Sequence, residues 1–237
     1  MTTEVFLPKK LEKLLFNEVL DFNKPISDLI HIFGEAGTGK TTLALQIACK
    51  FCAKGKKVVF IDTEGKVSAI RIKEIIQNTD FTKINKMLKL YTPSDFSKQH
   101  ELIINMEYYL HNQKIDLLII DTITNLYRQE LKFNIKNKKN YERLAFQVAL
   151  LKKIASEKSF LVVLFNQASM RKLKDENVLA PLKQERVSPV ANAIMNYWTS
   201  REIILVAEGW GKYEARIPCE FEGSVKFGID NSGIVPI

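Results

Sequence analysis

A chain of 237 residues with 46% hydrophobic content can bury one sizeable core but cannot supply two ordinary domains with linkers, so 1–237 reads as a single domain. The longest apolar runs fall far short of a membrane span, no charged start followed by an apolar stretch opens the chain, and three cysteines cannot build a disulfide framework. Membrane, secretory and disulfide-scaffold classes are set aside and a cytoplasmic protein is expected. The formal net charge of +8 suits a polyanionic partner and equally suits a solvated lysine surface, so location has to decide.

Residues 1–28 carry Leu11, Leu14, Leu15, Val19 and Leu20 at helical spacing and read as a cap packed on the core. Leu29 to Phe33 is a short buried strand. It runs into Gly34-Glu35-Ala36-Gly37-Thr38-Gly39-Lys40-Thr41-Thr42, which has the glycine, lysine and hydroxyl spacing of a phosphate-binding loop. Gly34, Gly37 and Gly39 are expected at positive φ, so that successive backbone N–H groups converge on phosphate oxygens. The positive end of the following helix contributes only about 0.3–1 kcal/mol, against about 8 kcal/mol for micromolar affinity. Lys40 must therefore supply charge, and Thr41 is expected to hold magnesium. This helix ends near Lys54-Gly55, and Leu43, Ala44, Ile47, Ala48 and Phe51 mark its buried face. Cys49 and Cys52 sit late in it and read as core packing, because no second cysteine pair or nearby histidine completes a metal site. His31, His100 and His111 cluster with nothing.

A second strand over Lys57 to Asp62 delivers Asp62 and, just beyond it, Glu64. Next come a helix around Ser68 to Asn78, a short strand near Lys89 to Tyr91, a helix from about Asp95 to Asn112, and a third diagnostic strand, Asp116 to Asp121. After a polar segment, a helix runs from about Tyr141 to Lys158. The strand Phe160 to Phe165 then leads into Asn166 and Gln167. Residues 168–189 show no period and read as a mobile loop. Arg201 to Val206, Tyr213 to Ile217 and Val225 to Ile229 read as short strands, with turns at Glu208-Gly209 and Asn231-Ser232-Gly233.

Strands alternating with helices predict an α/β fold: a mostly parallel central sheet with helices on both faces and short antiparallel strands at the C-terminal end. In such sheets ligands bind beyond the carboxyl ends of the strands. Residues 34–42, Asp62 with Glu64, Asp121 and Gln167 all fall there, so they form one site. Asp121 is placed to act on magnesium from behind its direct ligands or through water, working with Thr41 on the β- and γ-phosphates. Glu64 is the candidate that activates the attacking water, with Asp62 free for a structural role. Gln167 can read the terminal phosphate through its amide, or merely cap its strand. Two basic segments leave this end. Residues 126–141 hold Arg128, Lys132, Lys136, Lys138 and Lys139 among Tyr127, Phe133 and Tyr141; residues 168–189 hold Arg171, Lys172, Lys174, Lys183 and Arg186. Their location favours nucleic acid over a solvated surface.

With these residues in place, the chain resembles the RecA-type recombinase ATPase core, a phosphate-loop NTPase fold, and within it the small archaeal recombinase paralogues. The resemblance runs from Leu11-Glu12-Lys13-Leu14-Leu15 through the phosphate loop, Phe60 to Gly65, the strand ending at Asp121 and Asn166-Gln167, to Phe227 to Gly233. It implies ATP and Mg2+ as cofactors, Glu64 as catalytic glutamate, Gln167 as γ-phosphate sensor, Arg71 stacked on the adenine, and the two basic segments as DNA-binding loops. The implied partners are DNA, single-stranded in the first instance, the main recombinase of the same cell and a second copy of the chain.

Departures from the family pattern shape the expectation. No separate N-terminal domain or Phe-x-x-Ala linker precedes the core, and Phe146-Gln147-Val148-Ala149 matches that pattern only inside a helix, which weighs against filaments. Val190-Ala191 replaces the usual glycine pair after Pro189, which weighs against rapid DNA-coupled hydrolysis. The expected function is an ATP- and DNA-binding accessory of homologous recombination and repair with weak ATP turnover. The alternatives are a nucleotide-gated switch that binds protein and not DNA, and a small-molecule phosphotransferase.

Overall fold

The computed structural model describes residues 5–24, 26–77, 79–133, 138–170, 187–218 and 223–237. Its helices are α1 (Lys9–Phe16), α2 (Lys40–Ala53), α3 (Ala69–Ile76), α4 (Phe81–Met87), α5 (Phe96–Asn112), α6 (Asn125–Phe133), α7 (Lys138–Lys158) and α8 (Asn192–Trp198). Its strands are β1 (Asp28–Gly34), β2 (Val58–Asp62), β3 (Leu88–Tyr91), β4 (Leu117–Asp121), β5 (Leu161–Met170), β6 (Val187–Pro189), β7 (Arg201–Gly209), β8 (Lys212–Arg216), β9 (Val225–Asp230) and β10 (Gly233–Pro236). The sheet order is β10-β9-β8-β7-β1-β5-β4-β2-β3, with β6 paired to β5. From β7 to β3 the pairings are parallel; β8, β9 and β10 add on antiparallel, as expected for the C-terminal end.

The central strands are buried on both faces, and their side chains divide by alternation. Leu117, Ile119, Leu161, Val163 and Phe165 join the core under α1 to α4, whereas Leu118, Ile120, Val162 and Leu164 join the core under α5 to α8. Each fully buried Leu, Ile or Phe contributes about 1.5–3 kcal/mol, more than the roughly 1 kcal/mol of a helix cap. Packing therefore sets which elements exist, and caps such as Ser68 on α3 and Asp95 on α5 set where they start.

The segment 126–141 is not the loop expected from its charge: α6 occupies its first half and α7 already begins at Lys138. Leu126 and Tyr127 are buried, and Tyr127 meets Phe96 edge to face at 5.6 Å, so an apolar side beside the charged Arg128, Glu130 and Lys132 makes this a helix. The ends of the 168–189 segment are likewise not loop. Ala168, Ser169 and Met170 pair antiparallel with Pro189, Ser188 and Val187, forming a ribbon; 171–186 lie outside the described residues. α4, α8 and β10 are further elements beyond the expected set. α2 is buried on nearly every side, not on one face, because 5–20 and the C-terminal strands cover it.

Candidate functional site

Strand register lines up the chemistry. Gly34 at the end of β1 stands opposite Gln167 on β5, and Asp62 at the end of β2 stands opposite Asp121 on β4. These ends open on a cavity of about 350 Å³ lined by Ala36, Gly37, Gly39, Lys40, Thr41 and Thr42, together with Glu64, Lys66, Asp121, Thr122 and Gln167, and by Tyr213 and Ile229 from the C-terminal strands.

In the phosphate loop, Gly37 (φ 81°) and Gly39 (φ 86°) adopt the left-handed conformation expected of them. Gly34 does not, and the reason for glycine there is different: a Cβ would lie 2.5 Å from the Leu205 carbonyl oxygen and 2.7 Å from Thr38 Oγ1. Lys40 is buried, and its Nζ donates to the carbonyls of Gly34 (2.9 Å) and Glu35 (2.5 Å), so the chain's own carbonyls fix the ammonium at the loop. Burial lowers its pKa, opposed by the charges of Asp121 and Glu64. Thr38 Oγ1 donates to the Glu35 carbonyl at 2.9 Å, closing the loop on itself.

The two carboxylates after β2 separate cleanly. Asp62 accepts the backbone N–H groups of Glu64 (3.0 Å), Gly65 (2.8 Å) and Val67 (2.8 Å), so it builds the turn. Glu64 is thereby turned toward the cavity, where Gln167 Nε2 donates to its Oε1 at 2.7 Å and Lys66 pairs with its Oε2. Burial pushes the Glu64 pKa up, but the bonds from Lys66 and Gln167 and the charges of Lys66 and Lys40 outweigh this and hold it below the usual value. Gln167 Oε1 in turn accepts from the Arg128 guanidinium, which reaches across from α6.

Asp121 is the contrasting acid. It is 2% exposed, and its pKa is pushed up to about 6 by burial, with the Thr41 hydroxyl bond and Lys40 opposing and the charges of Glu64 and Asp62 adding to the rise. Its Oδ1 has no hydrogen-bond partner among the described residues. A buried, unsatisfied carboxylate oxygen beside a threonine hydroxyl fits a hard divalent cation, so Thr41 and Asp121 suit magnesium.

Arg71 is not among the residues that line this cavity; its guanidinium donates to the Asn231 carbonyl at 2.9 Å and to Glu74 at 2.8 Å, tying α3 to the β9–β10 turn just beyond Ile229. Lys138 and Lys139 are exposed at the start of α7, Lys138 pairing with Glu142 at 3.6 Å. Lys132 lies on α6. Lys136, Arg171, Lys172, Lys174, Lys183 and Arg186 lie outside the described residues. Phe146 is in α7, as expected, with Val148 buried in the core. Cys49 and Cys52 are buried, burial pushing the Cys49 thiol up to about 12, and they serve packing.

Lys66, Tyr213 and Ile229 escaped the sequence reading. Lys66 did carry a signal, a cation two residues beyond the key glutamate; Tyr213 and Ile229 reach the cavity only through the antiparallel pairing of β8 and β9. A larger cavity of about 620 Å³ lies between the N-terminal cap and the far end of α2, where Lys50 and Glu12 pair with each other. It is about 15–20 Å from the phosphate loop along the helix. No helix among the described residues is long and apolar enough to cross a membrane.

Comparison with known proteins agrees with this geometry. The Rad51 family model matches residues 13–236. A protein named DNA repair and recombination protein RadB from Methanobrevibacter smithii is 32% identical over 191 residues, covering 80% of this chain and 77% of the relative. RadB of Methanococcoides burtonii is 29% identical over 215 residues, covering 86% and 90%, and RadB of Methanococcus maripaludis is 33% identical over 191 residues, covering 80% and 81%. The sheet order, the strand-end site and these matches together show that the chain belongs to the Rad51 family of RecA-type recombinases.

Proposed function

We propose that this chain binds ATP with magnesium, binds DNA through the basic segments beside the site, and acts as an accessory of homologous recombination and DNA repair next to the main recombinase of its cell. The observation that carries this reading is the run of contacts from Glu64 through Gln167 to Arg128, which joins the phosphate cavity to an exposed arginine on α6. Nucleotide state and polyanion binding thus meet at one side chain.

In this reading the phosphate loop and Lys40 cradle the β- and γ-phosphates. Thr41 and Asp121 hold magnesium, which neutralises phosphate charge when bound. Glu64 orients a water toward the γ-phosphorus and takes its proton as the bond from phosphorus to the β–γ bridging oxygen breaks, leaving ADP and phosphate. Lys66 and Gln167 sit on the two Glu64 oxygens, so one of these contacts has to be given up before the carboxylate takes a proton from water.

A protein-binding switch is the second reading, favoured by the exposed Ile104 and Tyr108 on α5 and Phe146 on α7. Fluorescence anisotropy of a labelled single-stranded oligonucleotide, with and without magnesium and a non-hydrolysable ATP analogue, separates the two. The proposed function expects binding that changes with the analogue. No binding in either condition would overturn it in favour of the switch.

A further inference from the structure

Two ammonium groups line the phosphate cavity among the described residues, and they are held very differently. Lys40 is buried and donates to two loop carbonyls, so it cannot move without breaking the loop. The Lys66 side chain is 62% exposed and rests on a single partner, the Oε2 of Glu64. It lines the cavity beside Asp121, and the bond and charge of Glu64, then the charges of Asp121 and Asp62, outweigh burial and hold its pKa above the usual value. A lysine on a flexible stem that pairs with one carboxylate beside a triphosphate-sized space is free to exchange that carboxylate for a stronger anion. The terminal phosphate of a nucleoside triphosphate is such an anion: it offers more charge and more acceptor oxygens than one carboxylate, and ammonium–phosphate bonds are charge-assisted.

We propose that Lys66 is a γ-phosphate ligand supplied by the chain that holds the nucleotide. Among the described residues its partner is Glu64. When a triphosphate enters, the ammonium transfers to the third phosphate, so the event that recognises that phosphate also releases Glu64 Oε2 for the water. A cation placed on the transferring phosphoryl group stabilises its developing charge whether it comes from the same chain or a neighbour; here the residue is already in the cavity. The inference rests on the ATP-site reading above.

Full-length protein is titrated with a fluorescent non-hydrolysable ATP analogue and with the matching ADP derivative, both with magnesium, for the native chain and for Lys66→Ala, Lys66→Arg and Lys40→Ala. Lys66→Ala is expected to weaken the triphosphate by about tenfold, the size of one charge-assisted hydrogen bond, while the diphosphate changes by less than about twofold, because it lacks the phosphate in question. Lys66→Arg keeps most of the triphosphate preference. An unchanged ratio of triphosphate to diphosphate affinity in Lys66→Ala, or equal loss of both, overturns the proposal. Failure of the ATP-site reading shows separately, as retention of both affinities in Lys40→Ala.

Discussion

Arg128 donates to the side-chain oxygen of Gln167, so a residue on the outer surface of α6 fixes the orientation of the amide whose other end holds Glu64. An amide has one acceptor end and one donor end, and here both are engaged, one outward and one inward. Drawing the guanidinium toward a DNA phosphate removes the outward partner and frees the amide to turn. Arg128→Ala is therefore expected to reduce the effect of oligonucleotide on nucleotide affinity to within about twofold of none. Lys138→Ala, which has no bond to Gln167, is expected to weaken DNA binding while leaving the coupling in place. Nucleotide titrations with and without saturating oligonucleotide read both outcomes; equal coupling in the two variants would sink the relay.

Lys40→Ala removes the fixed ammonium at the phosphate loop. Loss of a charge-assisted contact to two phosphates predicts a fall in ATP affinity of at least about a hundredfold, with the far-ultraviolet circular dichroism unchanged because α2 packs through its other residues. Undiminished ATP affinity by calorimetry would refute the site.

Asp121 gives the protein a pH signature. Its folded pKa of about 6 lies above the ordinary 3.8, so between those values the folded state binds more protons than the unfolded one. The ligand-free protein is expected to lose stability as pH rises through that window, the sign opposite to that of a salt-bridged carboxylate. Magnesium needs the ionised form, so its affinity rises over the same interval and levels off above it. Thermal melts between pH 4 and 7 with and without magnesium test this, and Asp121→Asn should abolish this contribution to both trends.

Gly34 and Gly37 should respond to alanine for different reasons. At Gly34 the added methyl meets the Leu205 carbonyl between β1 and β7, an overpacking expected to destabilise by about 1–3 kcal/mol. At Gly37 nothing lies within 4 Å, and the penalty is the left-handed backbone alone, about 1–2 kcal/mol. Urea denaturation gives the energies. A melt of Gly34→Ala indistinguishable from the native protein would show that the strands separate freely there.

The parallel core was legible because strands buried on both faces are written as continuous apolar runs, and the phosphate loop and strand-end acids because polar groups abruptly end those runs. The same reading left Asp62 for a structural role, which the turn it builds bears out. It misjudged Gly34, since sequence shows that a side chain is unwelcome but not whether dihedral angle or neighbour forbids it. α6 was hidden because its two buried residues, Leu126 and Tyr127, are outnumbered by charges. Lys66, Tyr213 and Ile229 needed three dimensions: their role comes from strands or turns far apart in the chain closing over one cavity.

Gln46 accepts the Ile234 backbone N–H at 2.6 Å and donates to the carbonyls of Ile234 (3.1 Å) and Phe6 (2.5 Å), so the helix that follows the phosphate loop is gripped at its middle by two segments far apart in sequence. During synthesis, α2 emerges from the ribosome long before β10, and until β10 arrives the Gln46 carboxamide has neither Ile234 contact. The grip on α2 is thus a long-range one, closed only when β10 meets a residue 188 positions upstream, and it belongs to the non-local contacts that slow folding.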